Sequence, residues 1–283
     1  LKKGCLVITW IAAFGLLVAL FIGGRFLVQG LTVHPEEMRL TQQAPPTGSR
    51  PGRVVLSLSS AAAIVKAGPA GGQIRVESSF DPDVHEMEQR FTEAEDGGWT
   101  YRLDFHEKKL LHVSVVSIWL GKRSPEVRIE IPRDLPLSLE TKMEGGYLAL
   151  DLAGLELSDA TVELDRGVLG LIASEPLATP IERLNVRGRI GTMVLKSLGN
   201  ASPRELEVRH GLGAAHVDLG GLWLRDADVD FQMAFGEGEL KLPEGVRIEG
   251  LPGTFPRSAD EEIPNPTLSI STHFDVGDIR VVE

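Results

Sequence analysis

The sequence has one cysteine in 283 residues, Cys5. No disulfide can close within the chain, and no thiolate metal site can form. Aromatic residues make up only 6%, which is thin for a carbohydrate-cleaving cleft. Positive charge is the minority, with 29 Lys and Arg against 40 Asp and Glu and a net charge of -11. An acidic body repels phosphate backbones, so nucleic acid is not expected as a partner, and nothing draws the body toward anionic lipid. The nucleophile elbow G-x-S-x-G, the phosphate-binding P-loop and the dinucleotide motif G-x-G-x-x-G do not occur. The expectation is therefore a protein that is not an enzyme, with no catalytic, cofactor-binding or metal-binding residue.

Long apolar runs are also rare, and the exception is informative. Residues 4–24 (GCLVITWIAAFGLLVALFIGG) carry no charge, follow Lys2 and Lys3, and are followed by Arg25. About 20 helical residues cross the roughly 30 Å of a bilayer core. Positive charge on the N-terminal side places that end in the cytoplasm. The sequence thus predicts one transmembrane anchor over residues 1–33, with the body outside the cytoplasm or in the periplasm. A cleaved signal peptide is the competing reading, but it needs a shorter apolar core and an A-x-A-like site. Residues 34–52, rich in Pro and polar side chains, read as a linker.

Beyond Arg53 the helical period disappears. Runs such as VVLSLS, QIRVES, WTYRLDF and EVRIEI alternate apolar and polar residues and are separated by AGPAGG, EDGG and GKRSP. Period-2 alternation bounded by Gly and Pro marks β-strands. Residues 53–135 form an N-terminal strand region, and residues 136–283 repeat. DLAGLELSDATVEL (151–164) and DLGGLWLRDADVDF (218–231) match at eight of fourteen positions, at an offset of 67. This is about three units of 22 to 23 residues. Units begin near Leu139, Val162, Leu184, Leu206 and Val229, with a distant copy near Ile270. A glycine follows seven positions on at Gly146, Gly191, Gly213, Gly236 and Gly277, whereas the Val162 unit has Leu169 there and Gly170 beside it.

Strands of this length, repeated with a glycine that permits a corner, can stack at about 4.8 Å and bury a common core. The expected fold is all-β: a β-solenoid of five or six rungs. Leu148, Leu150, Leu164, Leu195, Leu240 and Leu242 are expected to point inward. Ile190 and Phe235, just before their glycines, are also read as filling the interior. A narrow, filled interior over so short a stack argues against a lipid-conducting groove of the AsmA type.

The stretches EVRIEIPRDLPLSLETKMEGGYLALDLAGLELSDATVEL and VDFQMAFGEGELKLPEG resemble the bacterial "toastrack" β-solenoid domains of DUF4097-type and adhesin-type proteins. They also resemble the C-terminal domains of Lia-type cell-envelope stress regulators. The shared features are a strand ending in Pro, a GG or GxG corner and a DLxGLxL link. The resemblance implies a membrane-tethered interaction module. Its expected role is accessory to envelope stress signalling or homeostasis, through another envelope or membrane protein. Surface adhesion or glycan binding is the alternative, and a homo-oligomer is compatible with the sequence.

Candidate contact residues are few. Asp226, Asp228 and Asp230 alternate with Ala227, Val229 and Phe231 and should share one outward face. Three carboxylates could hold calcium, but the glycine-rich Asp loop of a calcium-binding roll is missing, and a solvated stripe that discourages edge pairing fits better. Trp223 lies between Leu222 and Leu224. Outward alternation would make it a contact point, but packing beneath a loop is the preferred reading. The pairs His106/His112 and His210/His216 are read as ordinary histidines rather than metal ligands.

The topology is directly testable. A reporter that works only outside the cytoplasm, fused after Glu283, is expected to be active. Activity of a cytoplasm-only reporter at the same position would overturn the anchor reading.

Overall fold

The computed structural model describes residues 38–41, residues 51–251 apart from 83, 94, 96 and 109–123, and residues 266–282. The apolar run that carries the anchor expectation lies outside these residues. Among the described residues no helix is long and apolar enough to cross a membrane.

The described chain is all-β, built around one large and mostly parallel sheet. Its strands are β1 (Met38–Thr41), β2 (Gly52–Gly68), β3 (Arg75–Ser79), β4 (His85–Glu93), β5 (Trp99–Glu107), β6 (Glu126–Pro132) and β7 (Pro136–Asp151). They continue with β8 (Glu156–Ile172), β9 (Arg183–Lys196), β10 (Glu205–Asp218), β11 (Ala227–Lys241), β12 (Arg247–Glu249) and β13 (Thr267–Val282). The long strands stack in the order β2-β7-β8-β9-β10-β11-β13, each parallel to the next. At the N-terminal end of the stack, β5 pairs with the first half of β2 and β6 with its second half. The antiparallel strands β4 and β3 add to β5 and β6 respectively.

Chain connectivity requires these strands to bend. At about 3.3 Å per residue, an extended strand as long as β7 would span about 50 Å. Only residues 152–155 separate its end from the start of β8, and β8 begins beside the start of β7, with Pro136 opposite Glu156. Four residues reach at most about 17 Å, so the end of β7 must return close to its own beginning.

The bend falls at a glycine spine. Gly146, Gly167, Gly191, Gly213, Gly236 and Gly277 pair rung to rung. All have positive φ, between 105° and 134°. A Cβ at Gly167, Gly191, Gly213 or Gly236 would lie within 2.0 Å of the carbonyl oxygen of the preceding glycine. Both the backbone conformation and the space exclude a side chain. The spine corrects one unit of the sequence reading. The β8 unit begins at Ala160, not Val162, since Ala160 pairs with Leu139 and Leu184. Its corner glycine is then Gly167, and Gly170 is an ordinary strand residue. The other unit starts, Leu139, Leu184, Leu206, Val229 and Ile270, are in mutual register.

The core lies between the two halves of each bent strand. Leu148, Leu150, Leu164, Leu195, Leu240 and Leu242 are all buried, as alternation predicts. The alternation changes phase at the corner. In β11, Val229, Phe231 and Met233 face inward before the glycine, and Gly238 and Leu240 after it. In β7 the buried set passes from Leu139, Thr141 and Met143 to Leu148 and Leu150. The corner inserts one residue into the period, as a bulge does, and every side chain beyond it changes face. Ile190 and Phe235 therefore point outward, contrary to the sequence reading, because they stand where the phase has already shifted.

The glycine assignment separates two substitutions three residues apart. Gly167→Ala is expected to cost about 3 kcal/mol or more, from strain at positive φ and collision with the Gly146 backbone. Gly170→Ala meets only ordinary contact with Leu148 and should cost about 1 kcal/mol or less. Denaturant midpoints of the two variants check this. Equal losses would refute the spine assignment.

Candidate functional site

In a stack with a common register, residues at one position of each rung form a straight column on the surface. Immediately before the spine, the column contains Ser60, Gly145, Arg166, Ile190, Leu212, Phe235 and Val276. The last four are apolar, occupy the consecutive rungs β9, β10, β11 and β13, and are exposed at 37%, 51%, 50% and 55%. Adjacent strands are about 4.8 Å apart, so the four side chains form one continuous apolar ladder along the outer corner. A single exposed Leu is unremarkable, whereas a contiguous patch of this kind marks an interaction surface.

The ladder has a charged border of two signs. One residue further back lie Glu144, Asp165, Arg189, Gly211, Ala234 and Asp275, in rung order from β7 to β13. Arg189 donates through Nε and Nη2 to both carboxylate oxygens of Asp165. That guanidinium holds the Asp165 carboxyl below its ordinary range. Asp275 lies 3.1 Å from His273 Nε2. Beside this border a shallow open groove of about 710 Å³ runs across the rungs, lined by Arg187, Arg189, Arg209, His210, Gln232 and His273 among others. Its charges are mixed: Arg187 faces Glu163 and Glu207, each at 3.6 Å, and Arg209 pairs with Glu207.

The contact residues expected from sequence take structural positions. Trp223 is only 4% exposed, and its indole Nε1 donates to the Leu219 carbonyl at 2.8 Å. It packs against Gly199, where any Cβ would meet the indole nitrogen at 2.6 Å. Leu222 and Leu224 are the exposed neighbours instead. Trp223 is therefore not a contact residue: it packs beneath a loop, the reading preferred over outward alternation. Asp226, Asp228 and Asp230 do alternate with the buried Ala227, Val229 and Phe231. Asp226 accepts from the Thr267 backbone N–H at 2.7 Å, and Asp230 accepts from Ser271 and Gln232 at 2.9 and 2.6 Å. Asp226 and Asp230 thus tie the chain at β11 to β13.

The pair His210/His216 is split by the corner. His112 lies outside the described residues, and His106 is 3.8 Å from Glu86. His210 points inward before the corner, whereas His216 lies half-buried beyond it. Among the described residues no group of three or more His, Cys, Asp or Glu could hold a metal ion. His210 is nevertheless unusual. It is buried, its Nε2 lies 3.1 Å from the Gly191 carbonyl oxygen, and its ring fills the space left by the absent side chain of Gly188.

Known proteins resemble this chain in fold rather than in sequence. No family profile matches it, and no curated protein is similar to it. Among solved structures, a candidate cell adhesion protein from Clostridium sporogenes superposes with a TM-score of 0.55 at 13% identity, over 87% of this chain and 99% of its own. A candidate lipid-binding protein from Parabacteroides distasonis covers 87% of this chain and 97% of its own at 13% identity, with a TM-score of 0.25. The first likeness establishes a shared fold.

Burial lowers the pKa of His210 below its ordinary value of 6.5. The unfolded chain therefore binds the proton more tightly than the folded one. Stability linked to this group is fully present above about pH 6.5 and falls as the pH drops toward the lower folded pKa. His210→Asn, which keeps a polar side chain without titrating, is expected to lose less stability than the wild type between pH 7.5 and 5. Parallel losses would remove His210 from the acid response.

Proposed function

We infer that the protein is a non-catalytic interaction module. It is a toastrack-like β-solenoid, held outside the cytoplasm by the apolar run 4–24, and it presents its outer corner to a protein partner. The observation that carries this reading is the exposed ladder of Ile190, Leu212, Phe235 and Val276. A ladder of three aliphatic side chains and one Phe offers a glycan almost no hydrogen-bonding groups, whereas it matches apolar side chains of another protein. The fold shared with a candidate cell adhesion protein supports a contact role, so adhesion-type contact is preferred here over an accessory part in stress signalling. The frame is well suited to contact: residues carried on an in-register sheet keep fixed spacing, so little ordering is lost on binding.

A photo-crosslinking amino acid placed at Phe235 in the full chain, in intact cells, should give discrete covalent protein adducts. The same group at buried Leu240 should give none. Absence of adducts from position 235, with the protein present in the membrane, would sink this function.

A further inference from the structure

The ladder and its border are self-complementary. Along the rungs β9, β10, β11 and β13 the apolar column reads Ile190, Leu212, Phe235, Val276, and the column behind it reads Arg189, Gly211, Ala234, Asp275. The charged residues stand at the two ends with opposite sign. Two small residues lie between them, where a facing side chain can approach the backbone.

We propose that the partner of this surface is a second copy of the same chain, packed corner to corner about a two-fold axis that runs along the strands between β10 and β11. This rests on the reading of the ladder as a contact surface and adds its occupant. Such an axis reverses the rung order and keeps the columns. Leu212 then faces Phe235 of the second copy, Ile190 faces Val276, and Arg189 faces Asp275, each pair occurring twice. A two-fold along the stack would instead keep the rung order and exchange the columns about the ladder, so that Ile190 faces Ile190, Val276 faces Val276, and Arg189 and Asp275 of the two copies stay three rungs apart without pairing. Arg189 gives its Nε and Nη2 to Asp165. Its Nη1 hydrogens point to the other side of the guanidinium fork and suit a second carboxylate.

The patch amounts to a few hundred Å² per copy, below the roughly 800 Å² per partner of a stable free complex. The contact is therefore weak between free molecules. It is strengthened by a common membrane, where tethering raises the effective concentration into the millimolar range.

The test uses the full chain, labelled with donor or acceptor dyes and reconstituted into phosphatidylcholine vesicles, where energy transfer is followed over a series of protein-to-lipid ratios. The wild type is expected to dimerise. Phe235→Asp and Asp275→Arg should each weaken the dimer tenfold or more while keeping the wild-type circular dichroism spectrum. Arg189→Glu combined with Asp275→Arg should restore most of it, because the reversed charges again meet their opposites. A wild type that stays monomeric throughout, an Asp275→Arg variant that dimerises unchanged, or a folded double variant without recovery would each overturn the proposal. Crosslinking from Phe235 separates this from the broader function. Adducts of twice the chain mass support self-pairing. Adducts only of other masses overturn self-pairing and leave the contact function standing, and no adducts overturns both.

Discussion

Backbone meets backbone at the corner of every rung, and the rest of the structure depends on that contact. With only a hydrogen on each spine glycine from β8 to β11, where a Cβ would lie within 2.0 Å of the preceding carbonyl oxygen, successive strands can settle into the spacing of a parallel sheet while turning sharply. The contact also fixes register. Sliding one rung by a single residue would bring a side chain onto the spine and turn the whole inner set outward. The stack opens with Ala61 at the spine position of β2, opposite Gly146. Ala61 has no positive φ, so the tight turn develops only from β7 onward.

The return loops are held by a second kind of contact, polar rather than steric. Asp151 accepts from the Ala153 and Ser174 backbone N–H groups, and Asp218 accepts from that of Gly220. The buried Leu152 and Leu219 follow directly. The DLxGLxL link thus combines a carboxylate that closes a turn with a leucine that anchors it in the core. Asn200 spans three successive loops: its Nδ2 donates to the Ala173 carbonyl and its Oδ1 accepts from the Leu222 N–H. Arg225 adds bonds to the Ile181 and Ser202 carbonyls and to Glu182. Each loop is satisfied mainly by its neighbours, so the loop stack and the strand stack reinforce one another.

How far these features can be read from sequence follows from which interactions are local. Five unit starts and five corner glycines are legible because alternation and a fixed glycine offset are one-dimensional patterns. The β8 unit resists because Ala160 is a weak apolar signal beside Val162, so the count begins two residues late and arrives at Gly170. A register shift between Leu137 and Ser138, where β7 meets β8, adds to the irregularity. The outward direction of Ile190 and Phe235 needs the phase change at positive φ, which alternation alone does not encode. Trp223 follows a different rule again. Its place is set by the cavity above Gly199 and the Leu219 carbonyl, both contributed by loops rather than by strand periodicity.

The phase change also bears on why the ladder is apolar. A residue just before the spine glycine points to solvent, so the fold makes no demand on its chemistry. The same column shows this with exposed Ser60 on β2 and exposed Arg166 on β8, while β7 has Gly145, without a side chain, at that position, all in the same sheet. Three rungs use small or charged residues there without departing from the common register. The next four use Ile, Leu, Phe and Val, each leaving roughly half its surface in water. Folding gains little from side chains placed this way, because the hydrophobic effect rewards only area withdrawn from solvent. That reward becomes available when another surface covers the column. The border in the adjacent column, basic on β9 and acidic on β13, limits which surfaces can do so and in which direction. Stability therefore resides in the spine, the inner leucines and the loop contacts, while the outer column is free to serve recognition.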